Sequence, residues 1–188
     1  MEMPPQFPSG RTVDLESLPL FARALVAARM ARRAVLAMLE GKEREAGLAL
    51  CDLVEQIVRR RASWKASAAQ IRAVERIRRT RTNTAALEAA RWAFDAAGAA
   101  QASLDFPLDD GVATSARRCL AAIESDRRVS AVQVAIVLAA DVDQVAFACS
   151  EVGVGMYDGV PPHVMGRLAP CHPLTLTEPR RSAAEEAR

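Results

Sequence analysis

LPLFARALVAARMARRAVLAML, residues 18–39, is the stretch on which the fold turns. Two apolar stripes run along it at helical spacing. Leu18, Phe21, Leu25, Ala28, Val35 and Leu39 form one, and Leu20, Ala24, Ala27, Ala31, Ala34 and Met38 lie beside it. Residues three and four apart share a helix face, so the segment reads as a helix that is apolar over most of its circumference. Such a helix packs on several sides at once, at the centre of a bundle or in an oligomer interface. It should start near Ser17 with Pro19 in its opening turn and stop where Gly41 follows Glu40.

Outward from this helix the pattern repeats. A second helix is expected over residues 42–64, with Leu48, Cys51, Val54, Ile57 and Val58 on one face. Ser67 with Gln70 three residues on is a capping-box pattern and opens a third helix to about Thr80. Thr84 caps a fourth, which reaches about Ser103 before Phe106-Pro107 breaks it. A fifth covers about residues 113–124. Ser130 with Gln133 repeats the capping box and opens a sixth, the most apolar in the chain, ending at Glu151. Pro161-Pro162 suits the first turn of a short helix through Leu168. The fold expected is an all-α, single-domain helical bundle of about five to seven helices over residues 14–174, with the first and sixth at its centre. Residues 1–13 read as a flexible lead-in and residues 175–188 as a flexible tail.

Composition agrees with the helices and narrows the class. The 188 residues are 51% hydrophobic and 26% charged, enough for one globular core. Alanine occurs 38 times, and of 25 basic residues all but Lys42 and Lys65 are Arg. Both favour helix, and only 4% of residues are aromatic. The near-apolar run at residues 131–142 is short of the roughly 20 residues that span a bilayer, so no membrane partner is expected. No secretory signal is visible at residues 1–10, and a cytoplasmic location is the expectation. The four cysteines, Cys51, Cys119, Cys149 and Cys171, contain no Cys-x-x-Cys pair and should stay reduced.

Four places carry candidate chemistry. Residues 59–81 hold nine basic residues against Glu75 alone, a local +8 in a chain of net +2, so the rest carries −6. Arg59, Arg60, Arg61, Lys65, Arg72, Arg76, Arg79 and Arg81 are the candidate phosphate contacts, and salt-sensitive DNA or RNA binding is the signature. Trp64 is the sole aromatic of that segment, which leaves no row of base-stacking rings. Asp141 and Arg32 each interrupt an apolar stripe. A lone buried charge costs several kcal/mol, so the two are expected to pair with each other, as a register-setting ion pair or a ligand site.

The third place is residues 153–159, where three glycines fall within seven residues. A phosphate loop would follow a strand, whereas here a long helix precedes, so a turn folding the C-terminal segment over the bundle is expected. Tyr157, Asp158 and His163 are candidates for a pocket beneath it. The fourth is His163, Cys171 and His172. Their spacing lacks the short ligand pairs that zinc favours, and no metal or other cofactor is expected. Glu-x-x-His, P-loop, dinucleotide and hydrolase motifs are absent from the sequence. The first functional reading is therefore a non-enzymatic protein-interaction or regulatory module, working as a homo-oligomer or on a protein partner. A nucleic-acid-binding regulator using residues 59–81 is the second, and a small-molecule sensor or enzyme with a pocket under residues 153–172 the third.

Overall fold

A computed structural model describes residues 14–64, 71–72, 75–76, 85–105 and 110–177. These form an all-α, single-domain bundle of six helices: α1 (Leu20–Met38), α2 (Gly41–Val58), α3 (Ala85–Ala102), α4 (Asp110–Glu124), α5 (Ala131–Glu151) and α6 (Pro162–Met165). A 3₁₀ turn, Leu15–Ser17, precedes α1. Of the helix expected at residues 67–80, residues 71–72 and 75–76 are helical, and the others lie outside the described residues, as do residues 1–13 and 178–188.

The width of the apolar arc on α1 predicts what is seen. Every residue from Leu20 to Ala31 is buried, and α2, α3, α4 and α5 all pack against it. Its main companion is α3, where Ala86, Ala89, Ala90, Ala93, Ala97 and Ala100 are buried. Alanine faces let helix axes approach closely, which fills a core without aromatic bulk. On α2 the close approach is made at Gly47, where a Cβ would lie 2.9 Å from Val35 Cγ2.

The joints depart from the expected boundaries for local reasons. Gly41 opens α2 in the left-handed region (φ 52°) instead of trailing α1. Arg44 then reaches back, its Nε donating to the Leu39 carbonyl at 2.6 Å and its Nη2 to the Leu36 carbonyl at 3.2 Å. Those are carbonyls a helix end leaves without internal partners. The end of α2 comes at Val58, six residues before Trp64. The Arg61 N–H returns to the Gln56 carbonyl at 2.8 Å, and Arg60 is left-handed at φ 56°. A glycine normally takes that position, so residues 59–61 carry no stop signal. Arg60 stays because its Nη2 donates to the Tyr157 carbonyl and its guanidinium lies 5.4 Å from the Phe21 ring centroid.

The greatest departure is α5, which is not central. It packs Val134, Leu138, Val145 and Cys149 inward, while Val132, Ile136 and Phe147 are 48%, 65% and 66% exposed. At 21 residues it is by length and composition apolar enough to cross a membrane, contrary to the shorter run read from sequence. Ser130 makes no side-chain cap bond. Gln133, with its amide oriented to satisfy both ends, faces Thr175 instead, donating to its carbonyl and accepting its N–H, each at 2.9 Å. Val129 and Leu176 form an antiparallel bridge, and the Thr177 N–H donates to the Arg128 carbonyl at 2.8 Å. Residues 175–177 are thus pinned to the bundle, not part of the expected tail.

Candidate functional site

Asp141 is buried at 1% exposure, as its place in the apolar stripe required, but its partner is not Arg32. Arg29 donates to Oδ1 from Nε at 3.0 Å and Nη2 at 2.7 Å. Arg33 donates from Nε to Oδ2 at 3.2 Å and from Nη2 to Oδ1 at 3.1 Å. Arg29 and Arg33 are four residues apart and stack on the α1 face turned to α5, whereas Arg32 lies about 100° round from Arg33. It faces α2, where its Nη2 donates to Asp52 at 2.6 Å and Glu55 at 2.8 Å. Burial works against that charge, and the Asp52 hydrogen bond with the Glu55 carboxylate outweighs it, so the Arg32 pKa is raised.

The paired arginines also hold the chain beyond α6. Arg29 Nη2 donates to the Ala169 carbonyl at 2.9 Å and Arg33 Nη1 to the His172 carbonyl at 3.1 Å. Beneath that segment lies a cleft of about 530 Å³ between α1, α2 and residues 162–171. Three arginines, Arg29, Arg32 and Arg59, form its polar wall with Glu55; Leu36, Met165 and Leu168 are its apolar one. Arg59 is the least satisfied of the three: Nη2 stands 4.0 Å from Glu55 Oε2, and Nε is buried with no hydrogen-bond partner.

The residues nominated for a pocket lie elsewhere. Tyr157 and His163 are exposed, and Asp158 accepts the Gly155 N–H at 2.9 Å within its own turn. The glycine segment is a tether: the Leu20 N–H donates to the Met156 carbonyl at 2.9 Å and the Val160 N–H to the Val58 carbonyl at 3.0 Å. A Cβ on Gly159 would sit 2.9 Å from Arg60 Cγ. The cleft is lined by residues 162–171 of the segment singled out from sequence and by none of residues 153–159, and Tyr157, Asp158 and His163 are not in its lining. The i, i+4 pair of Arg29 and Arg33 on α1 was the available signal for the site.

The basic segment is divided. Arg59 turns into the cleft and Arg60 is tied to Tyr157, while Arg61, Arg72 and Arg76 are exposed. Lys65, Arg79 and Arg81 lie outside the described residues. Glu75, the segment's one acid, meets Arg91 of α3 at 3.5 Å.

All four cysteines are free thiols. Burial pushes Cys51 from 9.0 to about 12 and raises Cys119 as well. Cys171, half-buried in the cleft wall, is raised by burial and drawn back in part by Arg29 and Arg33. Among the described residues no three His, Cys, Asp or Glu side chains group as a metal site.

On the opposite account, α5 leaves a stripe uncovered. Val132, Ala135, Ile136, Ala140, Asp143 and Phe147 are exposed along one side of the helix. Comparison with protein-family models, with curated proteins and with solved structures gave no significant match.

Proposed function

We propose that this protein is a non-enzymatic interaction module that pairs with a second copy of itself through α5. The observation that carries the reading is the uncovered apolar stripe on that helix, with Ile136 65% and Phe147 66% exposed. Large apolar side chains stand singly on most surfaces, but here they recur at helical spacing along one helix. The stripe carries apolar residues at both ends and one charge, Asp143, which a two-fold pairing sets beside Ile136 of the other copy. Val132 and Phe147 flank alanines near the middle, so a two-fold axis beside Ala139 and Ala140 brings Phe147 of one copy over Val132 of the other. Small residues at the crossing permit close approach, and the antiparallel arrangement sets opposite helix dipoles together. Such a contact is isologous and closes at two copies.

Light scattering on the full chain tests this. Wild type should run as a dimer, and the double variant Ile136→Glu/Phe147→Glu as a monomer with unchanged helical circular dichroism. A monomeric wild type, or a variant that remains dimeric, overturns the proposal. Attachment of the wild type to phospholipid vesicles with no self-association would assign the stripe to a membrane surface instead.

A further inference from the structure

We infer that the cleft between α1, α2 and residues 162–171 is a binding site for a small organic monoanion, a carboxylate joined to an apolar body. Its volume of about 530 Å³ falls within the range of small-molecule sites, roughly 300–1,000 Å³. The charge count sets the ligand's charge. Arg29 and Arg33 share Asp141, which leaves one positive charge in excess behind the cleft, while Arg32 and Arg59 are balanced by Asp52 and Glu55. A monoanion neutralises it; a phosphate dianion would meet Glu55 at the wall with a charge to spare.

Arg59 sets where the head group lies. Arg29 and Arg32 already spend donors on Asp141, Asp52, Glu55 and the Ala169 carbonyl. Glu55 turns its Oε1 to Arg32 at 2.8 Å, which leaves Arg59 4.0 Å from Oε2 and its Nε unbonded. The Arg59 side chain is 29% exposed at the cleft wall, and a guanidinium offers a carboxylate two parallel hydrogen bonds. The body of the ligand would then lie along Leu36, Met165 and Leu168, the half-buried apolar wall. The far wall is held in place, because the arginines behind it bond the backbone at Ala169 and His172 and the prolines at 161, 162, 170 and 173 stiffen it. A site formed before the ligand arrives loses less entropy on binding.

Isothermal titration of the full chain with octanoate tests the inference, with acetate supplying the charge alone and 1-octanol the body alone. Octanoate should saturate, and Arg59→Met, which keeps the apolar stem, should weaken it at least tenfold. Acetate and octanol should each bind at least tenfold more weakly than octanoate. Met165→Asp, which sets a carboxylate in the opposite wall, should also abolish binding, so the test survives if one variant folds poorly. The Ile136→Glu/Phe147→Glu variant should bind octanoate as wild type does, which separates this site from the α5 stripe. Absence of saturation by about 1 mM, octanol binding as tightly as octanoate, or unchanged affinity in Arg59→Met overturns it.

Discussion

Replacing Asp141 with Leu should be among the most damaging single changes in the chain, and the structure says by how much. The carboxylate accepts four hydrogen bonds from Arg29 and Arg33, whose side chains are only 7% and 11% exposed. Leucine has the same branched shape and is larger, so no cavity adds to the cost. The main part is electrostatic: two guanidiniums remain buried with no counter-charge. Losing one partner of a buried ion pair costs about 3–5 kcal/mol. Against a total stability of about 5–15 kcal/mol that is severe, and in a chain of this size it lowers Tm by about 6–20 °C. The triple variant Arg29→Met/Arg33→Met/Asp141→Leu removes all the charges together and should recover much of the loss, because apolar replacement of a buried triad is often neutral or better. It should still loosen residues 169–172, which lose the donors holding the Ala169 and His172 carbonyls. Urea unfolding followed by circular dichroism gives the stabilities, and amide exchange over residues 166–177 gives the local loosening. A cost below about 1 kcal/mol for Asp141→Leu, or effects that add across the cycle within about 0.5 kcal/mol, refutes the reasoning.

Three further outcomes follow from packing and burial. Gly47→Ala gains about 1 kcal/mol of helix propensity but drives a methyl to 2.9 Å from Val35, where overpacking costs about 1–3 kcal/mol; thermal melting should show a net loss. Thiol labelling of the native chain at pH 8 should modify Cys171 first and leave Cys51 and Cys119 unreacted until unfolding, as mass spectrometry of the peptides will show. Since burial raises the folded pKa of Cys51 from 9.0 to about 12, the unfolded chain releases that proton first, and stability falls as pH rises above 9. Unfolding midpoints at pH 8 and pH 10 check the sign.

Much of this fold was legible because α1 and α3 owe their burial to pattern alone. An arc of small and apolar residues that wide has no surface orientation open to it, so the central position of α1 follows from residues 18–39. The misplacement of α5 has the opposite cause. Total hydrophobicity marks α5 as the most apolar helix, but periodicity does not reveal whether a second apolar side meets another helix or remains outside, and Val132, Ile136 and Phe147 remain outside. For Asp141 the stripe correctly implied burial. Its partner depended on which neighbour each α1 arginine faced, a fact about tertiary arrangement: Asp52 and Glu55 stood nearer to Arg32. The cleft was illegible for a related reason, since its walls come from residues 25–36, 55–59 and 162–171, three pieces whose adjacency no local spacing encodes.

The bond from Arg29 to Asp141 spans 112 residues, and that separation has a consequence on the ribosome. At about 5–20 residues per second, α1 emerges and waits about 6–22 s before its counter-ion is made. Through that interval its arginines must remain in water, so the side of α1 that carries them cannot be sealed early. Completion of the bundle is therefore timed by the arrival of α5, and the segment after α6, whose backbone the same arginines hold, docks last.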